Sequence, residues 1–292
     1  MSNLLPTSAQ RSDTLRKLLA DHTVMMPGAI NALSAKLIER AGFEAMYVSG
    51  AVLANSVGGV PDVGLMSLDE SAAHCAHIAS ASTLPIIADA DTGYGGPENA
   101  GRTVRVLEQI GVSGIHLEDQ EFPKRCGHLE GKTIVPVSEF CEKIAAAAEA
   151  KRSNDFLLIA RTDARGVEGY DAAVARAHQY LEAGADAIFP EALQSEEEFR
   201  RFAIDVDAIL LGNMTEFGKT PYMTVDEFAD MGYAIVIFPV TLQRIAMKAI
   251  EDALSVLKRE QTQKSLVSRM QTRQELYDLL GYTGTVTPQQ KR

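Results

Sequence analysis

Cysteine is scarce: the 292 residues hold three, Cys75, Cys126 and Cys141. An odd number, behind an N-terminus (MSNLLPTSAQRSD) without the basic-then-apolar pattern of a secretory signal, points to reduced thiols and a cytoplasmic protein rather than a disulfide framework. No uninterrupted apolar run approaches the length of a membrane span, which argues against a helical membrane protein. Positive charge is also short. Lys and Arg number 28 against 39 Asp and Glu, a net charge of −11, so nucleic acid and anionic membranes are poor partners because both would be repelled. A small anionic substrate is compatible only where a metal ion or clustered arginines reverse the local field. Nucleotide fingerprints are missing as well: the nearest stretch, Gly93-Tyr94-Gly95-Gly96, has neither a GK[ST] ending nor a full GxGxxG and reads as a turn.

What is present is alternation. Hydrophobic residues make up 46%, enough for one large core. Short, nearly continuous apolar runs at 23–29, 45–50, 85–91, 114–119, 156–164, 187–191, 208–214 and 233–239 read as strands buried on both faces of a parallel sheet. Segments of helical spacing follow them. Ala100, Val104, Leu107 and Ile110 share one face, as do Met247, Ile250, Leu254 and Leu257. Glycine marks helix ends in ERAGF, EQIGV, LEAGA and ADMGY. Ser67 with Glu70, Ser138 with Glu142 (one residue looser) and Thr224 with Glu227 mark helix starts. Eight such units without a linker predict a single α/β domain over 1–292, a (β/α)8 TIM-type barrel, rather than an open doubly wound sheet. A C-terminal helical extension follows the barrel, and the tail from about 282 has little to bury and is expected to be disordered.

Polar residues cluster at strand C-termini, where barrel enzymes build their sites. Asp89 and Asp91 flank Ala90, so period-two alternation points both carboxylates the same way, a costly arrangement unless a cation lies near. Glu118 shares the parity of His116 and adds a third acid; Asp62 is a fourth candidate. Hard oxygen donors favour Mg²⁺ or Mn²⁺ over zinc. The run Lys124-Arg125-Cys126-Gly127-His128 sets a cysteine among two cations and a histidine, a setting that promotes the thiolate. It sits in the long polar stretch 119–138, which reads as a lid. Cys75, Cys141, His74 and His77, on helix faces away from the rim, read as structural. Arg161 closes an apolar strand and needs an anionic partner, either a neighbouring acid or a substrate carboxylate.

These motifs together resemble the isocitrate lyase/phosphoenolpyruvate mutase superfamily, and within it the methylisocitrate lyases. The resemblance spans nearly the whole chain: YVSGA at 47–51, VPDVG at 60–64, DADTGYGG at 89–96, HLEDQ at 116–120, PKRCGHL at 123–129, ARTDA at 160–164, FPEA at 189–192 and NMTEFGKTP at 213–221. It continues through QKS and MQTRQELYD at 263–278. The KRCGH loop is similar to that of the lyase branch, whereas the chain is shorter than isocitrate lyases. The resemblance implies Mg²⁺-dependent cleavage of 2-methylisocitrate to pyruvate and succinate in the methylcitrate cycle of propionate catabolism. The alternatives are a 2,3-dimethylmalate lyase or an isocitrate lyase. It implies Asp89, Asp91, Glu118 and Asp62 for the metal. It implies Cys126 as general acid, with Arg161, His128 and Tyr47, the candidate base for the substrate hydroxyl, as its catalytic companions. A tricarboxylate would be held by Ser49, Gly50, Ala51, Gly127, Arg161, Glu191, Asn213, Met214, Thr215, Arg244 and Arg273. Ala51 replaces the usual glycine, and Leu129 stands where some relatives carry arginine. A homotetramer is implied too, with the helix after the last strand, 241–260, exchanged between neighbours.

Overall fold

Eight short strands carry the architecture: β1 (Val24–Pro27), β2 (Met46–Val48), β3 (Ile86–Asp89), β4 (Gly114–Glu118), β5 (Leu157–Thr162), β6 (Ala187–Pro190), β7 (Ile209–Asn213) and β8 (Ile235–Phe238). The structure is a computed structural model that describes residues 5–125, 127 and 131–284. Every ladder is parallel, and the order runs β1-β8-β7-β6-β5-β4-β3-β2. A parallel bridge between Gly28 and Tyr47 closes the ring, reinforced by the Ala29 N–H donating to the Tyr47 carbonyl at 2.8 Å. The result is the (β/α)8 barrel that the alternation predicts.

Strand alternation splits the core into two layers. Met26, Tyr47, Ile87, Leu157, Ile159, Phe189, Leu211 and Ile237 fill the barrel. Val48, Ala88, Ile115, Leu117, Leu158, Ala160 and Val236 face outward onto the helices. The helices are α1 (Ser8–Asp21), α2 (Ala32–Arg40), α3 (Gly50–Leu53) with a π-helical turn after it (Ala54–Gly58), α4 (Leu68–Ala79), α5 (Pro97–Gln109) and α6 (Val137–Ala150). After them come α7 (Ala164–Val167), α8 (Tyr170–Glu182), α9 (Glu196–Asp205), α10 (Val225–Asp230), α11 (Thr241–Glu260) and, past a 3-10 turn, α12 (Arg273–Leu280).

The lower end of the barrel is closed by α1, which the strand pattern does not announce. Leu15 joins the inner cluster, and the buried Arg11 guanidinium donates to the carbonyls of Ala79, Ser82 and Leu84 at 2.7, 2.6 and 2.9 Å. Two sequence expectations need correction. Ser138 does not cap α6: the helix begins at Val137 after Pro136, whose fixed φ suits a helix start and leaves Ser138 inside the first turn. Strand β3 stops at Asp89, and Asp91 has φ 47°, so alternation does not reach Asp91 and its direction is set by a left-handed turn. Full capping boxes do form at Ser67/Glu70 and Thr224/Glu227.

Candidate active site

A cavity of about 400 Å³ opens at the C-terminal rim. Strands and rim loops converge on it from every side: Tyr47, Ser49, Ala51, Asp62, Asp89, Lys124, Gly127, Arg161, Glu191, Asn213, Thr215 and Arg244 all line it. On its floor the Tyr47 hydroxyl lies 2.7 Å from His116 Nε2, and the two rings stack at 5.9 Å. His116 Nε2 is 3.7 Å from Asp89 Oδ1. The Asp89 carboxylate accepts from the Gly50 N–H at 3.1 Å and from the Asp91 N–H at 3.0 Å. A Cβ at residue 50 would stand 2.9 Å from Asp89 Oδ2, so only glycine brings this amide to the carboxylate without displacing it.

Two buried cations hold the acids. The Lys124 ammonium is 2.5 Å from Asp91 Oδ1 and 2.7 Å from Asp62 Oδ1. The Arg161 guanidinium lies 3.2 Å from Glu118 Oε2, 3.0 Å from Asp163 Oδ2 and 3.7 Å from Glu191 Oε2, with its face on Phe189 at 5.2 Å. The neighbouring acids are therefore the anionic partners that a buried arginine needs. Asn213 Nδ2 donates to Glu191 at 3.3 Å, and Arg244 reaches Glu216 at 3.4 Å across the Phe217 ring. Gly127 lies so close to Arg161 and Glu191 that a Cβ would overlap both. The buried Lys132 ammonium pins that glycine by its carbonyl while pairing with Asp163 at 2.6 Å.

With this geometry in view, the chain matches the family Phosphoenolpyruvate phosphomutase over residues 15–258. The chain belongs to the phosphoenolpyruvate phosphomutase family. Among curated relatives, the 2-methylisocitrate lyase of Aeropyrum pernix is 52% identical, over 92% of this chain and 86% of that protein. Among solved structures, a 2,3-dimethylmalate lyase superposes with a TM-score of 0.89 at 38% identity, covering 95% of this chain and 93% of that one. A phosphonopyruvate hydrolase complexed with oxalate and Mg²⁺ gives 0.84 at 30% identity, covering 94% and 95%.

In this phosphoenolpyruvate phosphomutase family member, burial and fixed charge pull the carboxylates apart. Burial works against the charge of Asp89, but His116, Lys124 and Arg161 outweigh it and hold the group at about 2. Burial pushes Asp91 up to about 6 and Glu118 to about 8, against the pull of Lys124 on the first and of Arg161 and Lys124 on the second. Burial lowers His116 to about 4, so its ring is neutral at pH 7, and it raises the Tyr47 phenol well above its ordinary range. Among the described residues, no three His, Cys, Asp or Glu side chains converge as a closed metal cage. Mg²⁺ does not need one: it keeps several waters and takes one or two protein carboxylates. The ionised Asp89 fits that demand, and the Glu118 Oε1, buried without a hydrogen bond among the described residues, would join it once the ion displaces the carboxyl proton.

Three sequence assignments fall differently. Met214 follows β7 on its outward parity and is buried in the outer core, where its sulfur accepts from the Met223 N–H at 3.4 Å, so its side chain does not line the cavity. Arg273 is exposed at the start of α12, outside the cavity of its own chain. Asp91 reaches the acid cluster through Lys124 rather than alongside Asp89. Cys126 and His128 lie outside the described residues. Sequence reading named Lys124 only as a neighbour of the cysteine. A loop residue has no periodicity to show where its ammonium points, and the same holds for Lys132. Gln243 and Phe189, also on the wall, look like ordinary helix and strand residues.

Proposed function

We propose that this protein is a Mg²⁺-dependent carbon–carbon lyase that cleaves 2-methylisocitrate to pyruvate and succinate. The observation that carries the reading is the pair of buried cations, Lys124 and Arg161, which line one cavity with Asp62 and Glu191 and pair behind it with Asp91 and Glu118. With a divalent cation on its acids, such a site favours a polyanion whose negative charge shifts during reaction. Relatives named 2-methylisocitrate lyase, 52% to 41% identical, supply the substrate. The 2,3-dimethylmalate lyase reading is the alternative. Arg244, Asn213 and Thr215 on the cavity wall favour the substrate with the additional carboxylate.

Asp89 would hold the ion, with Asp91, Glu118 and Asp62 directly or through water, and Mn²⁺ could substitute. When bound, the ion supplies Lewis-acid stabilisation of the C2 oxygen. Tyr47 takes the proton of the C2 hydroxyl as its own passes to the neutral His116, 2.7 Å away, which avoids a free phenolate in a buried site. The C2–C3 bond then breaks. C2 becomes the carbonyl of pyruvate, and the bonding pair moves to C3 as the aci-carboxylate of succinate. Arg161, Asn213, Thr215 and Arg244 balance that charge, and Gly127 brings the loop down beside Arg161. Cys126 delivers the proton to C3, with His128 as its companion. Ser49, Gly50 and Ala51 position the pyruvate half.

The chain is further proposed to act in propionate breakdown in the cytoplasm, as a homotetramer. Among the described residues no helix is long and apolar enough to cross a membrane. Only Gln243 of α11 is buried, while Ile245, Met247, Ile250, Leu254 and Leu257 are exposed along it. Exchange of α11 between subunits would cover that face and carry Arg273 toward a neighbour's cavity. The test is pyruvate release from 2-methylisocitrate and 2,3-dimethylmalate, with glyoxylate release from isocitrate, each with and without Mg²⁺. Magnesium-dependent cleavage strongest on 2-methylisocitrate is expected; a preference for another substrate would reassign the carboxylate pocket, and no cleavage would remove the lyase reading.

A further inference from the structure

A second, larger cavity of about 810 Å³ lies beside the first, and Lys124 lines both. Its walls are apolar in part, from Met66, Leu68, Phe122, Ile134 and Val135. The polar part is unusual. Lys143 of α6 is 7% exposed, lines the cavity, and makes one hydrogen bond among the described residues, to the Thr92 carbonyl at 3.3 Å. None of the described carboxylates stands within ion-pair distance of it, and burial lowers the pKa of its ammonium, only partly offset by Glu139 one turn back on α6. A buried ammonium compensated only by a distant, exposed carboxylate is costly, so a site that supplies an anion relieves it.

Two helix starts add to the same field. Gly96 and Pro136 are the N-caps of α5 and α6, neither start has a side-chain cap, and Gly96, Pro97 and Pro136 all line the cavity. Uncapped amides and helix dipoles favour negative charge at such points. Arg102 stands at the mouth, 3.6 Å from Asp69. Of the acids that line the cavity, Asp69, Glu121 and Glu139 are exposed and Asp91 is paired with Lys124, so none forms an ion pair with Lys143, and Glu139 acts on it only at a distance.

We propose that this cavity is a second ligand site, separate from the lyase cavity, that takes a small organic anion with an apolar body and a phosphate or carboxylate head on Lys143. The head sits at the α5 and α6 starts and the body lies against Met66, Leu68 and Phe122. Since Lys124 lines both cavities and is paired with Asp91 on the wall of the second, an occupant bears directly on the pair that orders the active-site acids.

The probes are 1-naphthyl phosphate and 1-naphthoate, followed by their fluorescence on titration into the full-length protein, with neutral 1-naphthol as the control. Pyruvate, succinate and Mg²⁺ are held at saturation so that the lyase cavity is filled. Saturable binding of at least one anion, not displaced by the products, is expected; which of the two binds tighter distinguishes a phosphate from a carboxylate head. Lys143→Met should weaken binding about tenfold, the scale of one charge-assisted hydrogen bond. Arg102→Glu, at an exposed position that leaves folding intact, should weaken it several-fold. Displacement by the products, equal binding of 1-naphthol, no binding of either anion, or unchanged binding in both variants would each overturn the proposal. Should Lys143→Met fail to fold by circular dichroism, Arg102→Glu carries the test alone.

Discussion

Arg161 is surrounded by Glu118, Asp163 and Glu191, and all four are buried. Removing its charge takes this cation from Glu118 and Glu191 and leaves Asp163 to Lys132, in a medium that solvates the acids poorly. Arg161→Met is therefore expected to destabilise the fold by roughly 3–5 kcal/mol, the scale of a broken buried ion pair, as read from urea unfolding. An unchanged midpoint would mean that the acids are protonated rather than paired. His116 gives a prediction in pH. Its folded pKa of about 4 lies below the ordinary value of 6.5, so between these values the unfolded chain binds more protons. Stability is then fully present above pH 6.5 and is lost as pH falls toward 4, by up to about 3 kcal/mol in total. Urea unfolding of metal-free protein at several pH values checks the slope, and His116→Gln should flatten it in that window.

The rim loops, more than the strands, decide how closely side chains approach. Asp91, Ala192 and Phe217, in the turns after β3, β6 and β7, have φ of 47°, 59° and 60°, a conformation that non-glycine residues adopt only where the surroundings enforce it. The loop that carries Gly127 is held by Lys132 through a carbonyl and by Gln120, whose side chain both accepts from Arg125 N–H at 2.9 Å and donates to the Arg125 carbonyl at 2.8 Å. Gly127→Ala adds one methyl where Arg161 and Glu191 already stand. The expected result is a loss of about 100-fold in kcat/KM from misplacement of the loop, with a melting temperature close to the parent's. Parent-like turnover would show that the loop sits farther from Arg161 during the reaction.

At the scale of the whole molecule, α11 is the element least explained by the single chain. Its 20 residues bury only Gln243, and the apolar side chains of Ile250, Leu254 and Leu257 face outward. Monomeric proteins seldom leave such a stripe uncovered. Paired Ile250→Asp and Leu254→Asp substitutions are expected to reduce the sedimenting mass toward that of one chain, without loss of secondary structure. A parent protein that already sediments as a monomer would remove the exchanged-helix proposal. Chelation followed by Mg²⁺ or Mn²⁺ addition checks the metal in the same preparation: activity should vanish and return.

The barrel was legible in the sequence because its signal is local. Eight apolar runs, each of strand length and each followed by a helical repeat, admit few other arrangements, and strand parity already places His116 and Glu118 on one face. Polar residues at strand ends pointed to the candidate cavity for the same reason. Tertiary structure alone decided what depends on distances between elements far apart in the chain: that Lys124 reaches Asp62 and Asp91, that Arg161 takes three acids, and that Met214 turns outward. Asp91 escaped the period-two rule because its strand ends two residues earlier, and a left-handed turn has no periodicity to read. Arg273 looked like a cavity residue in the motif, yet the path of the chain after α11 sets it on the surface. Periodicity fixes which way a side chain leaves its own strand or helix; only packing fixes what it meets.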